Sequence, residues 1–237
     1  PSDDATEPAA EDAEPFSLSA GVNEITWEQE LAAGTVTRHL VIHTPQSYPN
    51  HDPIPTMFGF HGNSSDAPEG SEPEKLWLGK LGPMGDQEKF IGVYLRGISG
   101  AWQLGSEPGE ATTEEVIEAI EYLQARLAVT PGVNDEVTYC FGTSNGAALC
   151  QYSAANVGLF SGIGAEVSTL DEGDFPEADV PKIPVVQMMN FKDSLIPYEG
   201  GSSNVGHTFM PAEDGAAAWA AHNGCDLTPA ETEVTDP

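Results

Sequence analysis

Val137-Thr138-Tyr139-Cys140-Phe141-Gly142-Thr143-Ser144-Asn145-Gly146-Ala147-Ala148-Leu149-Cys150 changes character once, at Gly142. Its first five residues are an apolar, β-branched and aromatic run of strand type. From Gly146 to Asn156 the residues are small and mostly apolar with no proline, which suits a packed helix. The junction, Gly142-Thr143-Ser144-Asn145-Gly146, has the form G-x-S-x-G. Alone that pattern is weak, since glycine and serine are common. Between a buried strand and an apolar helix it becomes specific. A sharp strand-to-helix turn lifts a serine hydroxyl above the sheet, at a helix N-terminus whose free N–H groups favour negative charge. Small residues two before and two after the serine let helix and strand approach closely. Ser144 is therefore the candidate nucleophile.

Outward from this turn, Thr35–His43 alternates and ends at Thr44-Pro45, while Pro55–Phe60, Phe90–Leu95 and Ile183–Met189 are short buried runs. Helical spacing occurs in Thr112–Leu127, with Thr113 as the expected N-cap, and in Pro211–His222. Residues 63–75 are rich in Ser, Pro, Glu and Gly and read as a loop. Buried strands alternating with helices predict an α/β fold, a mostly parallel sheet with helices on both faces.

A serine hydroxyl needs a base to take its proton and donors for the oxyanion that forms. The first expected donor is the backbone N–H of Asn145. The second comes from the loop after an early strand, here Phe60-His61-Gly62-Asn63, with the N–H of Asn63 the first candidate and Gly62 the next. His61 is expected to orient that turn rather than to act as the base. The acid belongs after a later strand, and Asp193, just beyond Met189, fits. Trp102 either flanks the substrate cleft or packs beneath its own loop. Trp77, read within an acidic loop over 63–80, is a candidate contact for an apolar polymer.

The chain of 237 residues carries 8 Lys+Arg against 38 Asp+Glu, a net charge of −30. Phosphate contacts need Lys and Arg, so nucleic acid is excluded as a partner. The same charge disfavours an anionic membrane, and no stretch approaches the roughly 20 apolar residues of a membrane span. It fits either a saline habitat or simply an acidic exported protein. Residues 1–20 open with six acids and three prolines in the first fifteen positions, and are read as a disordered acidic tether. The domain proper is then 21–237. Of three cysteines, Cys140 and Cys150 lie in apolar surroundings where buried thiols are common, and Cys225, in a polar turn, looks like half of a disulfide.

In their order along the chain, these motifs resemble one family. They are His61-Gly62, the segment Asp86–Tyr94, Gly100-Ala101-Trp102, Thr143-Ser144-Asn145-Gly146, Asp193-Ser194-Leu195-Ile196-Pro197-Tyr198-Glu199-Gly200-Gly201, and Trp219–Cys225. The family is that of secreted α/β-hydrolase esterases, which includes polyhydroxybutyrate depolymerases, feruloyl esterases and acetylxylan esterases. The likeness runs from about Thr35 to Cys225. It departs at Asn190-Phe191, where His-Gly is usual, and at Ala147, where glycine is frequent.

The resemblance implies an extracellular serine esterase, with the tether a candidate link to the cell surface, that hydrolyses carboxylic esters through an acyl-enzyme without metal or cofactor. The implied partner is an ester substrate, polymeric in some members: a polyester or a feruloyl or acetyl plant-wall ester. After Asp193 only His207 and His222 remain, and His222 sits at a helix end. The family's histidine follows a further strand, past the Asn-Gly-Cys turn. On that likeness the chain is read as truncated at its C-terminus, the base and the partner of Cys225 lying beyond it, with His207 the weaker alternative. The other class of function to weigh is a non-catalytic α/β-hydrolase-like binding protein that lacks its histidine.

Overall fold

A computed structural model describes residues 13–49, 52–65, 71–104, 111–204 and 206–232. Residues 1–12 of the expected tether, and residues 233–237 past the Asn-Gly-Cys turn, lie outside them. The sheet has seven strands: β1 (Gly21–Leu31), β2 (Gly34–Thr44), β3 (Ile54–Phe60), β4 (Ile91–Leu95), β5 (Val133–Thr143), β6 (Gly162–Glu166) and β7 (Val185–Met188). Their spatial order is β1-β2-β4-β3-β5-β6-β7. β1 and β2 form an antiparallel hairpin, and β2 joins β4 antiparallel. From β4 to β7 all neighbours are parallel. A short antiparallel pair, β8 (Gly201–Ser202) and β9 (Thr208–Phe209), lies apart.

Helices α1 (Pro73–Glu88), α2 (Thr113–Ala128), α3 (Asn145–Tyr152) and α4 (Ala212–Asn223) cover the sheet. Each strand has two faces, and the apolar residues sort accordingly. Leu40, Ile42, Phe58, Phe60 and Ile91 join Ile120 and Leu123 of α2, Leu149 of α3 and Trp219 of α4 in the larger core. Val41 and Tyr94 turn the other way and pack with Trp77 of α1 and Phe141. α2 forms where its apolar residues recur at helical spacing. It starts at a capping box one residue earlier than expected, with Thr112 as N-cap and Glu115 returning the bond.

Four expectations need correction. Residues 73–80, read as the end of a loop, belong to helix α1, and Trp77 is buried at 3% exposure, so it offers no surface to a polymer. Glycines and Pro83 hide that helix in the sequence, but its buried side fills the space over β4. Residues 13–20, assigned to the tether, are held in place: Phe16 is buried, its N–H donates to Thr130 Oγ1, and Arg126 binds the carbonyls of Glu14 and Pro15. β1 and β6 were not anticipated. Finally, Cys140 and Cys150 are not thiols but a disulfide, because the chain reversal at Ser144 brings their Cα atoms to 6.0 Å. Cys225 is exposed and free among the described residues. Among those residues no helix is long and apolar enough to cross a membrane.

Candidate active site

The chain leaves β3 through α1 to β4 on one side, then crosses back through α2 to β5 on the other. In such a sheet the crevice at the carboxyl ends of the diverging strands is the natural binding place. The turns after β3 and β5 meet there. A Cβ built on Gly62 would lie 3.4 Å from both Ser144 Cβ and the Thr143 carbonyl.

Ser144 stands at the end of β5 with φ 51° and ψ −123°. This backbone conformation is uncommon and costly for a residue with a Cβ. The surroundings enforce it. Ser144 N–H donates to Glu166 O at 2.8 Å, and its own carbonyl accepts from Ala148 N–H at 2.9 Å in the first turn of α3. The flanking glycines are required by space. A Cβ at Gly142 would collide with the Gly146 carbonyl, and one at Gly146 with the carbonyls of Phe60 and His61. Helix α3 thus starts directly against the β3 turn, and its first N–H groups have no partner within the helix.

Asn145 has a second task that the sequence does not announce. Its side chain binds the backbone of Trp102 in both senses, accepting from Trp102 N–H at 2.7 Å and donating to Trp102 O at 2.9 Å. Trp102 itself is 2% exposed. Its indole N–H donates to His61 O at 2.7 Å, and its ring packs on His61 and Phe60. Of the two roles weighed for Trp102, packing is the one its burial allows. It is a prop under the β3 turn, not a wall of the cleft.

His61 is buried and orients the turn. Its Nε2 accepts from Gly97 N–H at 3.0 Å, and Nδ1 lies 2.6 Å from Gly62 O. These two contacts require the neutral tautomer with the proton on Nδ1. Burial lowers its pKa from the ordinary value, against the smaller upward pull of the Gly62 carbonyl. Asn63 is exposed, and its Oδ1 accepts from Ser65 N–H and Oγ. Its side chain therefore shapes the turn, and Gly62 is the residue that abuts Ser144.

Asp193 follows β7 as expected. Its N–H donates to Asn190 O, and its Oδ1 accepts from the N–H groups of Leu195 and Ile196 at 2.8 and 2.9 Å. Among the described residues Oδ2 carries no hydrogen bond. β5 and β7 flank β6, so with a strand spacing of about 4.8 Å their ends stand roughly 10 Å apart. An imidazole bonded at both nitrogens, with the reach of two side chains, spans such a gap. His207 is paired elsewhere: its Nδ1 lies 2.6 Å from Oδ2 of Asp171, an acid the sequence did not single out. His222 lies on α4 with Nε2 3.3 Å from Pro181 O. No group of three or more His, Cys, Asp or Glu side chains among the described residues is placed to hold a metal ion.

No family model and no curated protein matches the chain. Solved structures do. A thermostable esterase superposes with a TM-score of 0.58 at 12% identity, covering 85% of this chain and 52% of that one. The chain has the α/β-hydrolase fold. Acetyl xylan esterase from Aspergillus awamori (TM-score 0.49, 15% identity, 90% of this chain and 84% of that one) is a weaker likeness. So is S-formylglutathione hydrolase from Staphylococcus aureus (TM-score 0.45, 15% identity, 63% and 59%). The chain spans 52% of the length of the thermostable esterase and 59% of that of the formylglutathione hydrolase.

Proposed function

We propose that this chain carries the nucleophile of a secreted serine carboxylic ester hydrolase. The observation that carries the reading is the strained Ser144 backbone, at φ 51° and ψ −123°, held on the last residue before α3. Strain of this kind persists only where the surroundings impose it, and it clusters at functional sites. In the reaction, Ser144 Oγ attacks the ester carbonyl carbon while a base takes its proton. The oxyanion accepts from the Asn145 N–H and from an N–H of the Gly62-Asn63 turn. Collapse expels the alcohol, which takes the proton from the base, and leaves an acyl-serine. Water then attacks the acyl-serine by the same route, releasing the carboxylic acid and restoring Ser144. Asp193 Oδ2 orients the base.

The Cys140–Cys150 disulfide supports export, since such bonds persist in oxidising compartments. The sequence resemblance supports an extracellular polyester or a feruloyl or acetyl plant-wall ester as substrate. Full-length protein is expected to hydrolyse short p-nitrophenyl esters, with polyhydroxybutyrate and methyl ferulate separating the substrate classes. Activity on any of these that survives in Ser144→Ala refutes the mechanism.

One observation favours a second reading, a hydrolase-like binding protein without turnover. His207, one of the two histidines that follow Asp193, is spent on Asp171. Full-length protein that binds these esters and turns over none of them would establish that alternative.

A further inference from the structure

Two turns carry the N–H donors that the proposed reaction requires, and they lie far apart in the chain. Asn145 N–H opens α3, while the N–H groups of Gly62 and Asn63 follow β3. The ladder between β3 and β5 ends at the Phe60–Gly142 pair, so neither turn is part of it. An oxyanion is stabilised by donors fixed beforehand, about 2.7–3.1 Å from where the charge develops. Contacts beyond the ladder must therefore fix one turn against the other.

On the β3 side, each candidate N–H is aimed by a bond to the carbonyl of its own peptide unit. A trans peptide is planar, and its C=O and N–H point in opposite directions. The carbonyl of the His61–Gly62 unit accepts the Trp102 indole N–H at 2.7 Å, and this sets the direction of the Gly62 N–H. The carbonyl of the Gly62–Asn63 unit lies 2.6 Å from His61 Nδ1, and this sets the direction of the Asn63 N–H. The loop over 97–102 is fastened to the same turn. Gly97 N–H donates to His61 Nε2 at 3.0 Å, and Ser64 N–H and its hydroxyl both donate to Gly100 O, at 2.8 and 2.9 Å. Turn and loop form one hydrogen-bonded unit.

The Asn145 side chain ties that unit to the serine turn. Trp102 comes 41 residues after His61 and 43 before Asn145. Its N–H donates to Asn145 Oδ1 at 2.7 Å, and its carbonyl accepts from Asn145 Nδ2 at 2.9 Å. Two bonds from one planar amide fix orientation as well as distance. The packing of Gly146 on the Phe60 and His61 carbonyls, and of Gly62 on Ser144, keeps the two turns from moving closer. The amide bridge keeps them from parting.

We propose that the Asn145 carboxamide is a positioning residue of this site. Its backbone N–H is one donor, and its side chain sets the spacing and direction of the others through Trp102 and His61. The proposal rests on the esterase reading. Both ends of the amide are needed, because Trp102 presents a donor and an acceptor. Alanine supplies neither partner, and the serine side chain is too short to bridge both, while each keeps the backbone N–H of residue 145.

The test uses full-length wild type, Asn145→Ala, Asn145→Ser and Trp102→Phe with p-nitrophenyl butyrate. Competent sites are counted by fluorophosphonate titration run to completion. The number of sites per chain is expected to stay at the wild-type value. The kcat per counted site is expected to fall roughly 10- to 100-fold in each variant, with KM changed by less than about threefold, because the donors act on the transition state more than on bound ester. A side chain that only supports the fold gives the opposite pattern, fewer competent sites with kcat per site unchanged, and that result overturns the proposal. If Asn145→Ala does not fold, Asn145→Ser decides by the same readout. An unchanged kcat per site in Trp102→Phe overturns the route through the indole. Wild type that hydrolyses no ester and takes no label overturns the esterase reading and this proposal with it. Wild-type turnover with unchanged kcat in the Asn145 variants overturns this proposal alone.

Discussion

Replacing both Cys140 and Cys150 by alanine should lower the stability of this protein. The bond joins residues ten apart in sequence, four before and six after the serine, and so closes a ring that contains the whole strand-to-helix turn. The chain-entropy relation for a loop of that length gives about 2.7 kcal/mol of stabilisation through the unfolded state. Both sulfurs are buried, at 1% and 0% exposure, so truncation to alanine also leaves a small void. At about 2–4 °C per kcal/mol for a chain of this size, the melting temperature should fall by roughly 5–10 °C. The assay is thermal unfolding followed by circular dichroism, paired with a thiol count. Unfolded without reductant, this 237-residue chain should show one reactive thiol, Cys225, and after reduction three. Because the ring holds the Ser144 backbone, ester hydrolysis should fall along with stability, and below the melting range as well. Three reactive thiols without reductant, or a melting temperature lowered by less than about 2 °C, would refute the reasoning.

Two glycines should respond oppositely to alanine. Gly146→Ala drives a Cβ into the Phe60 and His61 carbonyls and should lower stability by about 1–3 kcal/mol and activity at least tenfold. Gly79→Ala, on the exposed side of α1 with nothing within 4 Å of its Cβ position, should raise stability by about 0.5–1 kcal/mol in denaturant titration. His61 is held neutral with its pKa below the unfolded value of about 6.5. Its contribution is thus complete above that pH and is lost as pH falls below it, because the unfolded chain then binds the proton first. Thermal melts from pH 7.5 to 5 should show this decline, and His61→Gln should flatten it. Finally, raising sodium chloride from about 0.01 to 1 M shrinks the Debye length from about 30 to 3 Å and should stabilise a chain of net charge −30. A steady loss of stability with salt would contradict that.

The parts of the molecule legible in the sequence are those where one strong pattern dominates. β5, the Ser144 turn and α3 combine an apolar strand with a G-x-S-x-G junction, and α2 carries both a helical apolar stripe and a cap. Other parts were hidden because tertiary contacts set them. β1 alternates, but most of its outward positions are polar, with Glu24, Glu28 and Glu30 among them, and it gains order by pairing with β2 and by laying Trp27 on Tyr122 of α2. α1 contains three glycines and Pro83 and is held by Trp77 against Tyr94 and Val41. β6 is small-residue backbone because Phe141 occupies the space where a Gly164 side chain would go. In the candidate site, motif and position along the chain put Ser144 and Asp193 forward as the proposed nucleophile and acid. The bridging role of the Asn145 side chain, the burial of Trp102 and the Asp171–His207 pair depend on chain segments far apart in sequence. No local pattern marks them.

The central claim is that Ser144 is an activated nucleophile, and a fluorophosphonate probe tests it most directly, because only a serine with a working base and oxyanion site reacts with it at a useful rate. Full-length protein should take up one phosphonyl group, found by mass spectrometry on the peptide containing Ser144, and Ser144→Ala should take up none. No labelling of the wild-type protein, or equal labelling of the variant, would contradict the account.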